Sequence, residues 1–293
     1  MTAVLPRPEL SEVAVAPPGD GEGYWAGAPS AVESGGFVYL AYRLRRPLGE
    51  GRGYAVEVAR SADGVRFEPV VRILKEQFGS ESLERPTLVR TPSGVWRLYL
   101  SCATPGTKHW RVEVLEAAAP EEFDARDRRV VLPGDDKVGV KDPVIVHHEG
   151  LWHLWASCHP LAVAEEADQM VTDYATSADG LEWTWHGTAL DRRPGAWDSR
   201  GVRVSAVRFT PDGVVAAYDG RASAAENYEE RTGFATGDDP RALRALDRGP
   251  LGSPHRGGGL RYLEVLPLAG GGTRLYYELT RPDGAHELRT ELR

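Results

Sequence analysis

Asp142-Pro143-Val144-Ile145-Val146, a turn at Glu149-Gly150, and Leu151-Trp152-His153-Leu154-Trp155-Ala156 make one apolar segment, one glycine turn and one aromatic-rich segment. Both segments are short and rich in β-branched and aromatic residues, and turn formers bound them, which predicts an antiparallel hairpin rather than a helix. The same pattern stands earlier in the chain. Arg85-Pro86-Thr87-Leu88-Val89 leads through Ser93-Gly94 to Val95-Trp96-Arg97-Leu98-Tyr99-Leu100, and Ala28-Pro29-Ser30-Ala31-Val32 leads through Gly35-Gly36 to Phe37-Val38-Tyr39-Leu40-Ala41-Tyr42. It returns twice later, at Val204–Arg208 with Val214–Tyr218 and at Tyr262–Leu266 with Arg274–Tyr277.

The spacing is regular. Pro29, Pro86 and Pro143 are 57 positions apart, Ser205 follows 62 later and Tyr262 a further 57. Each unit carries further strand-like material, such as Tyr54–Ala59, Trp110–Leu115 and Thr172–Thr176. A repeat of about 50 residues holding three or four strands has the size of a propeller blade. The expectation is an all-β, single-domain, five-bladed β-propeller over 1–293. Its blades run roughly 24–75, 82–132, 139–190, 198–247 and 258–293, and 1–23 is an N-terminal segment able to complete the ring. Gly257-Gly258-Gly259 reads as a connector between blades. A β-sandwich is the competing architecture, but it does not predict five copies of one turn.

Composition narrows the function. The formal charge of -8 leaves no basic stripe for nucleic acid, and no apolar run approaches the roughly 20 residues that cross a bilayer. The opening stretch lacks the apolar core of a secretory leader. Cys102 and Cys158 take matching places in two repeats and read as reduced, buried packing residues. The expected setting is cytoplasmic, with a small-molecule or carbohydrate ligand as partner and neither nucleic acid nor membrane. No sequence pattern indicates a cofactor, and the histidines follow no metal-ligand spacing.

Propeller geometry sorts the polar residues. First strands start, and second strands end, at the same mouth of the central channel, while the glycine turns lie on the opposite face. Trp25, Glu84, Arg85, Lys141, Asp142, Arg203 and Arg261 fall in the first group, and Arg43, His159, Asp219, Arg221 and Glu278 in the second. Acids and bases converging in a concavity suit a ligand site. Glu84, Asp142 and Asp219 are the candidate catalytic carboxylates. Trp25, Arg43, Arg85, His159, Arg203, Arg221, Arg261 and Glu278 are the candidate substrate contacts. Structural ion pairs sealing the channel would draw on the same residues. Asn227-Tyr228-Glu229-Glu230-Arg231 forms a long loop placed to cover the mouth.

Lys141-Asp142-Pro143, opening a first strand, resembles the five-bladed glycoside hydrolases of the arabinanase, β-xylosidase and invertase-like groups. Ser61-Ala62-Asp63-Gly64 and Ser177-Ala178-Asp179-Gly180, each followed by an aromatic residue, resemble the turns that close their outer hairpins. The resemblance implies a glycoside hydrolase-like enzyme acting on a carbohydrate or glycoside-like molecule, including an anionic one. The catalytic set is incomplete: the first blade offers Gly27-Ala28-Pro29 with no carboxylate, and the fourth places Arg203 where those families place an acid. The arginines suit a carboxylate or phosphate. Two other readings stay open, a non-catalytic propeller binding a sugar or anionic metabolite, and a propeller recruited to non-hydrolytic biosynthetic chemistry.

Overall fold

The computed structural model describes residues 4–255 and 258–293; residues 1–3 of the N-terminal segment and Gly257 of the glycine connector lie outside them. Among the described residues the regular elements are strands and short 3-10 turns, and no helix is long and apolar enough to cross a membrane.

The recurring unit is an antiparallel meander. The first comprises Trp25–Ser34, Phe37–Arg45, Gly53–Ser61 and Glu68–Leu74. The second comprises Leu83–Arg90, Trp96–Ala103, Trp110–Ala117 and Arg129–Leu132. Val138–His148, Leu151–Pro160, Val171–Ser177 and Thr184–Leu190 form the third. The fourth ends on the two-residue strand Arg244–Ala245, after Gly201–Thr210, Gly213–Arg221 and Arg231–Gly237. The last joins Leu260–Pro267, Thr273–Thr280 and His286–Leu292 to the N-terminal strand Glu12–Val15. Single parallel bridges, Arg231 with Leu260 and Trp25 with His286, link the fourth, last and first meanders.

Apolar side chains on the meander faces bury one another, neighbour against neighbour. Val56, Val58 and Ile73 of the first meet Leu88, Trp96 and Leu98 of the second. Leu266, Tyr276 and Leu288 of the last meet Ala26, Leu40 and Tyr42 of the first. The two Ser-x-Asp-Gly turns tie these seams. Asp63 Oδ1 accepts from the Val65 and Arg66 N–H groups, each at 2.8 Å, and Gly64 takes φ 71°, a conformation glycine adopts without strain. The Tyr276 hydroxyl then donates to the Gly64 carbonyl at 2.9 Å, and Tyr99 reaches Gly180 in the same way at 2.8 Å. Cys102 and Cys158 are free and buried.

Candidate functional site

Each inner strand carries a bulge close to its start. The register shifts between Gly27 and Ser30, Leu83 and Pro86, Lys141 and Val144, Val204 and Ala206, and Arg261 and Glu264. A bulge turns a side chain out of the strand's alternation. At three of them a non-glycine residue takes a left-handed conformation: Ala28 at φ 53°, Asp142 at 51° and Tyr262 at 54°. Structurally, then, Tyr262 rather than Arg261 takes the place that Asp142 holds in the third meander.

These bulges and the ends of the second strands surround a pocket of about 260 Å³. Of the candidate site residues, Arg43, Glu84, His159, Arg203, Arg221 and Arg261 line it. Lys141, Arg45, Arg52, Trp110, Asp168 and Tyr262 also line it, together with Asn227, Tyr228 and Glu230 of the long loop. Asp142, Asp219 and Glu278 lie a layer behind, each 0 % exposed. Trp25 is buried beneath Arg45, whose guanidinium stands 4.1 Å from its ring. Arg85 faces the other way, into a separate chamber. It does not belong to the mouth.

The carboxylates are tied to guanidiniums. Arg43 pairs with Glu84 and donates from Nη2 to Glu278 at 2.9 Å. Arg203 donates to Asp219 Oδ2 from Nε at 3.2 Å and Nη2 at 2.9 Å, and from Nη1 to Asp142 Oδ2 at 3.4 Å. The Tyr262 N–H also points at the Asp219 carboxylate, at 3.0–3.1 Å. Glu230 bridges Arg221 at 2.7 Å and Arg261 at 2.5 Å. Glu278 takes further bonds from Arg261 Nε at 2.8 Å and His286 Nδ1 at 2.7 Å.

This wiring sets the protonation states. Burial works to raise Glu84, but Arg43 and Arg45 outweigh it and hold the carboxyl well below its ordinary value. Arg261, Arg203 and Arg221 do the same for Glu230, and Lys141 and Arg203 for Asp142. Burial pushes Asp219 up, against the Arg203 fork. His159 could act as an acid only if its surroundings raised its pKa. Instead burial, and then the Lys141 ammonium, push it down to about 3. Its Nδ1–H donates to the Ala167 carbonyl at 2.9 Å, leaving a neutral ring whose Nε2 faces the Ser157 hydroxyl at 3.2 Å.

Lys141 differs from the arginines. Among the described residues its ammonium makes one ion pair, with Asp142 at 3.5 Å, and lies 4.7 Å from the centre of the Trp110 ring. Sequence reading placed Lys141 at the mouth without assigning it a ligand. Arg45 was missed, although Arg43 and Arg45 stand two apart on a strand and so share a face.

Neither a protein-family model nor a curated protein matches the sequence. Solved structures do match the fold. A thermostable family-43 glycoside hydrolase superposes with a TM-score of 0.69 at 15% identity, covering 91% of this chain and 89% of that one. The RS223 β-xylosidase gives a TM-score of 0.70 at 14% identity, over 97% of this chain and 95% of that one. A β-1,2-mannobiose phosphorylase from Listeria innocua gives 0.66 at 16% identity, over 99% and 92%. The chain therefore carries the β-propeller fold seen in these glycoside hydrolases and phosphorylases.

Proposed function

We propose that the five meanders are the blades of one closed propeller, with blades near 24–75, 82–132, 139–190, 198–247 and 258–293, and that its mouth binds a carbohydrate bearing a carboxylate or phosphate. The observation that carries this reading is Lys141. It lines a pocket where eight lysine and arginine side chains meet three carboxylates, and among the described residues its ammonium has one ion-pair partner, Asp142. The exposed part of Trp110 beside it offers an apolar face to a sugar ring.

Hydrolysis of a glycoside needs an acid on one side of the bond and a base or nucleophile on the other. Asp142 and Asp219, expected to open onto the mouth, are buried in ion pairs. Glu84 and Glu230, which do line the pocket, are held as anions, as is Asp168, where burial is outweighed by Arg200. The geometry thus favours recognition over cleavage. Hydrolysis remains the second reading on the strength of the fold. Turnover of a nitrophenyl glucuronide by the wild-type protein would move the assignment back to it.

Arg203 was expected to contact the ligand. All three of its nitrogens are engaged instead with Asp142 and Asp219. The ligand test therefore falls on Lys141. Calorimetry should find that Lys141→Gln weakens glucuronic acid and glucose 1-phosphate about tenfold or more, the loss of one charge-assisted contact, and leaves glucose nearly unchanged. Equal loss for charged and neutral sugars would reject anion recognition at the mouth.

A further inference from the structure

The long loop over the mouth holds Tyr228 at φ 81°, a left-handed backbone that a bulky side chain adopts only under constraint. The constraint comes from both flanks. Asn227 Oδ1 accepts from Arg221 Nη1 at 3.1 Å. Glu229 Oε2 accepts from the Gly259 N–H at 2.9 Å and from the Thr280 hydroxyl at 2.6 Å. Held this way, Tyr228 lines the pocket, its ring 5.0 Å from that of Trp25 and 4.7 Å from the Arg45 guanidinium. Burial works to raise the pKa of the phenol, but Arg45 outweighs it, helped by Arg52 and opposed by Glu84, so the hydroxyl titrates below its ordinary value. Strain of this kind gathers where a side chain must be presented to a ligand, and a phenol that loses its proton more readily than usual can serve as a base.

Resting on the reading of the mouth as a site for a sugar carboxylate, we propose that the protein is a lyase that cleaves 4-linked glucuronides by β-elimination, with Tyr228 carrying the proton. Elimination asks for what the pocket has and not for what it lacks. It needs no carboxylic acid, and the pocket carboxylates are anions. It needs a cation against the substrate carboxylate, to stabilise the charge that develops when the neighbouring C–H is broken, and Lys141 stands in the same pocket. The Tyr228 phenolate takes the proton from C5, the carbon bearing the carboxylate. The C–H electron pair forms the C4=C5 double bond, and the C4–O4 bond breaks with its pair on O4. The Tyr228 hydroxyl then returns the proton to O4. No water is consumed and the phenolate is restored. His159 is a poor substitute, because its Nδ1–H donates to Ala167 and its Nε2 faces Ser157. One group that moves a proton from C5 to O4 must face both atoms, so it suits a sugar with the C5 hydrogen and O4 on the same ring face. Glucuronic acid has that arrangement, and galacturonic acid, its epimer at C4, has them on opposite faces.

The test is incubation of the wild-type protein with 4-linked triglucuronic acid and with 4-linked trigalacturonic acid, followed by the ultraviolet absorbance of the conjugated double bond and by the masses of the fragments. Triglucuronic acid should give an unsaturated fragment with no water added. Trigalacturonic acid should react roughly tenfold more slowly or less, because its proton and its leaving group cannot both face one residue. Tyr228→Phe keeps the ring beside Trp25 and Arg45. It should lower turnover about a hundredfold or more, the contribution of a positioned proton carrier, and change the calorimetric affinity for triglucuronic acid by less than about threefold. Triglucuronic acid that binds but yields no unsaturated fragment would overturn the elimination alone and leave the mouth a recognition site. Failure to bind it at all would overturn the reading of the mouth as well. Fragments that have gained water would show hydrolysis instead. Turnover that survives in Tyr228→Phe, or a preference for trigalacturonic acid, would remove Tyr228 as the proton carrier.

Discussion

Replacing Glu278 by alanine is expected to destabilise the fold by about 3–5 kcal/mol, the cost typical of breaking a buried ion pair from one side. Glu278 is 0 % exposed and accepts from Arg43, Arg261 and His286 at 2.7–2.9 Å. Removing it leaves the Arg43 and Arg261 guanidiniums with one acid each, Glu84 and Glu230. Its position also explains the first blade. A Cβ at Gly27 would lie 2.0 Å from Glu278 Oε2, so the carboxylate of the last meander occupies the space that a side chain of the first would need. The carboxylate beside Gly27 comes from 251 positions away in sequence. Urea unfolding of Glu278→Ala against the exposed control Glu121→Ala checks this, and a loss below about 1 kcal/mol would show the network to be dispensable. The control should stay within about 0.5 kcal/mol of wild type.

The fold was legible because its signal is local and repeated. Glycine turns, alternating apolar positions and the 57-residue spacing all lie within single units. The convergence of charge at one mouth followed from strand direction alone. Depth was not legible. Asp142 and Glu84 both sit in inner-strand bulges, which decide which of them reaches the pocket, while Asp219 lies on an unbulged second strand opposite Arg203. Asp142 at φ 51° is turned toward Arg203, 61 positions on, while Glu84 stays at the surface of the pocket. The fifth repeat slipped by one for the same reason, since apolar pattern matching cannot see a bulge and aligned Arg261 where Tyr262 belongs. Glu230 escaped because its partners, Arg221 and Arg261, come from two different meanders. The loop that carries it was visible as a long connection above the mouth.

His159 and Glu264 should also respond to pH in opposite directions over the same interval. His159 at the mouth has its folded pKa lowered from 6.5 to about 3. Between those values the unfolded chain binds the proton and the folded one does not, so this residue contributes stability that is present above about 6.5 and lost as pH falls. Glu264 beside Arg85 is raised from 4.5 to about 7. There the folded state holds the proton more tightly, so its contribution is present below about 4.5 and lost as pH rises through 7. Each slope is at most about 1.4 kcal/mol per pH unit, and because the Glu264 side chain is 18 % exposed solvent screening reduces the total change it contributes. Between pH 4.5 and 6.5 the two oppose each other, and the wild-type protein shows little of either. The single variants separate them. Relative to wild type, Glu264→Gln should gain stability steadily from pH 5 to 8, by up to about 3 kcal/mol. His159→Gln should gain as pH falls from 6.5 to 4 and run parallel to wild type above 7. Urea unfolding at four pH values resolves both trends. If Glu264→Gln runs parallel to wild type throughout, Glu264 is ionised at neutral pH and paired with Arg85, whose Nη2 stands 3.5 Å from its carboxylate.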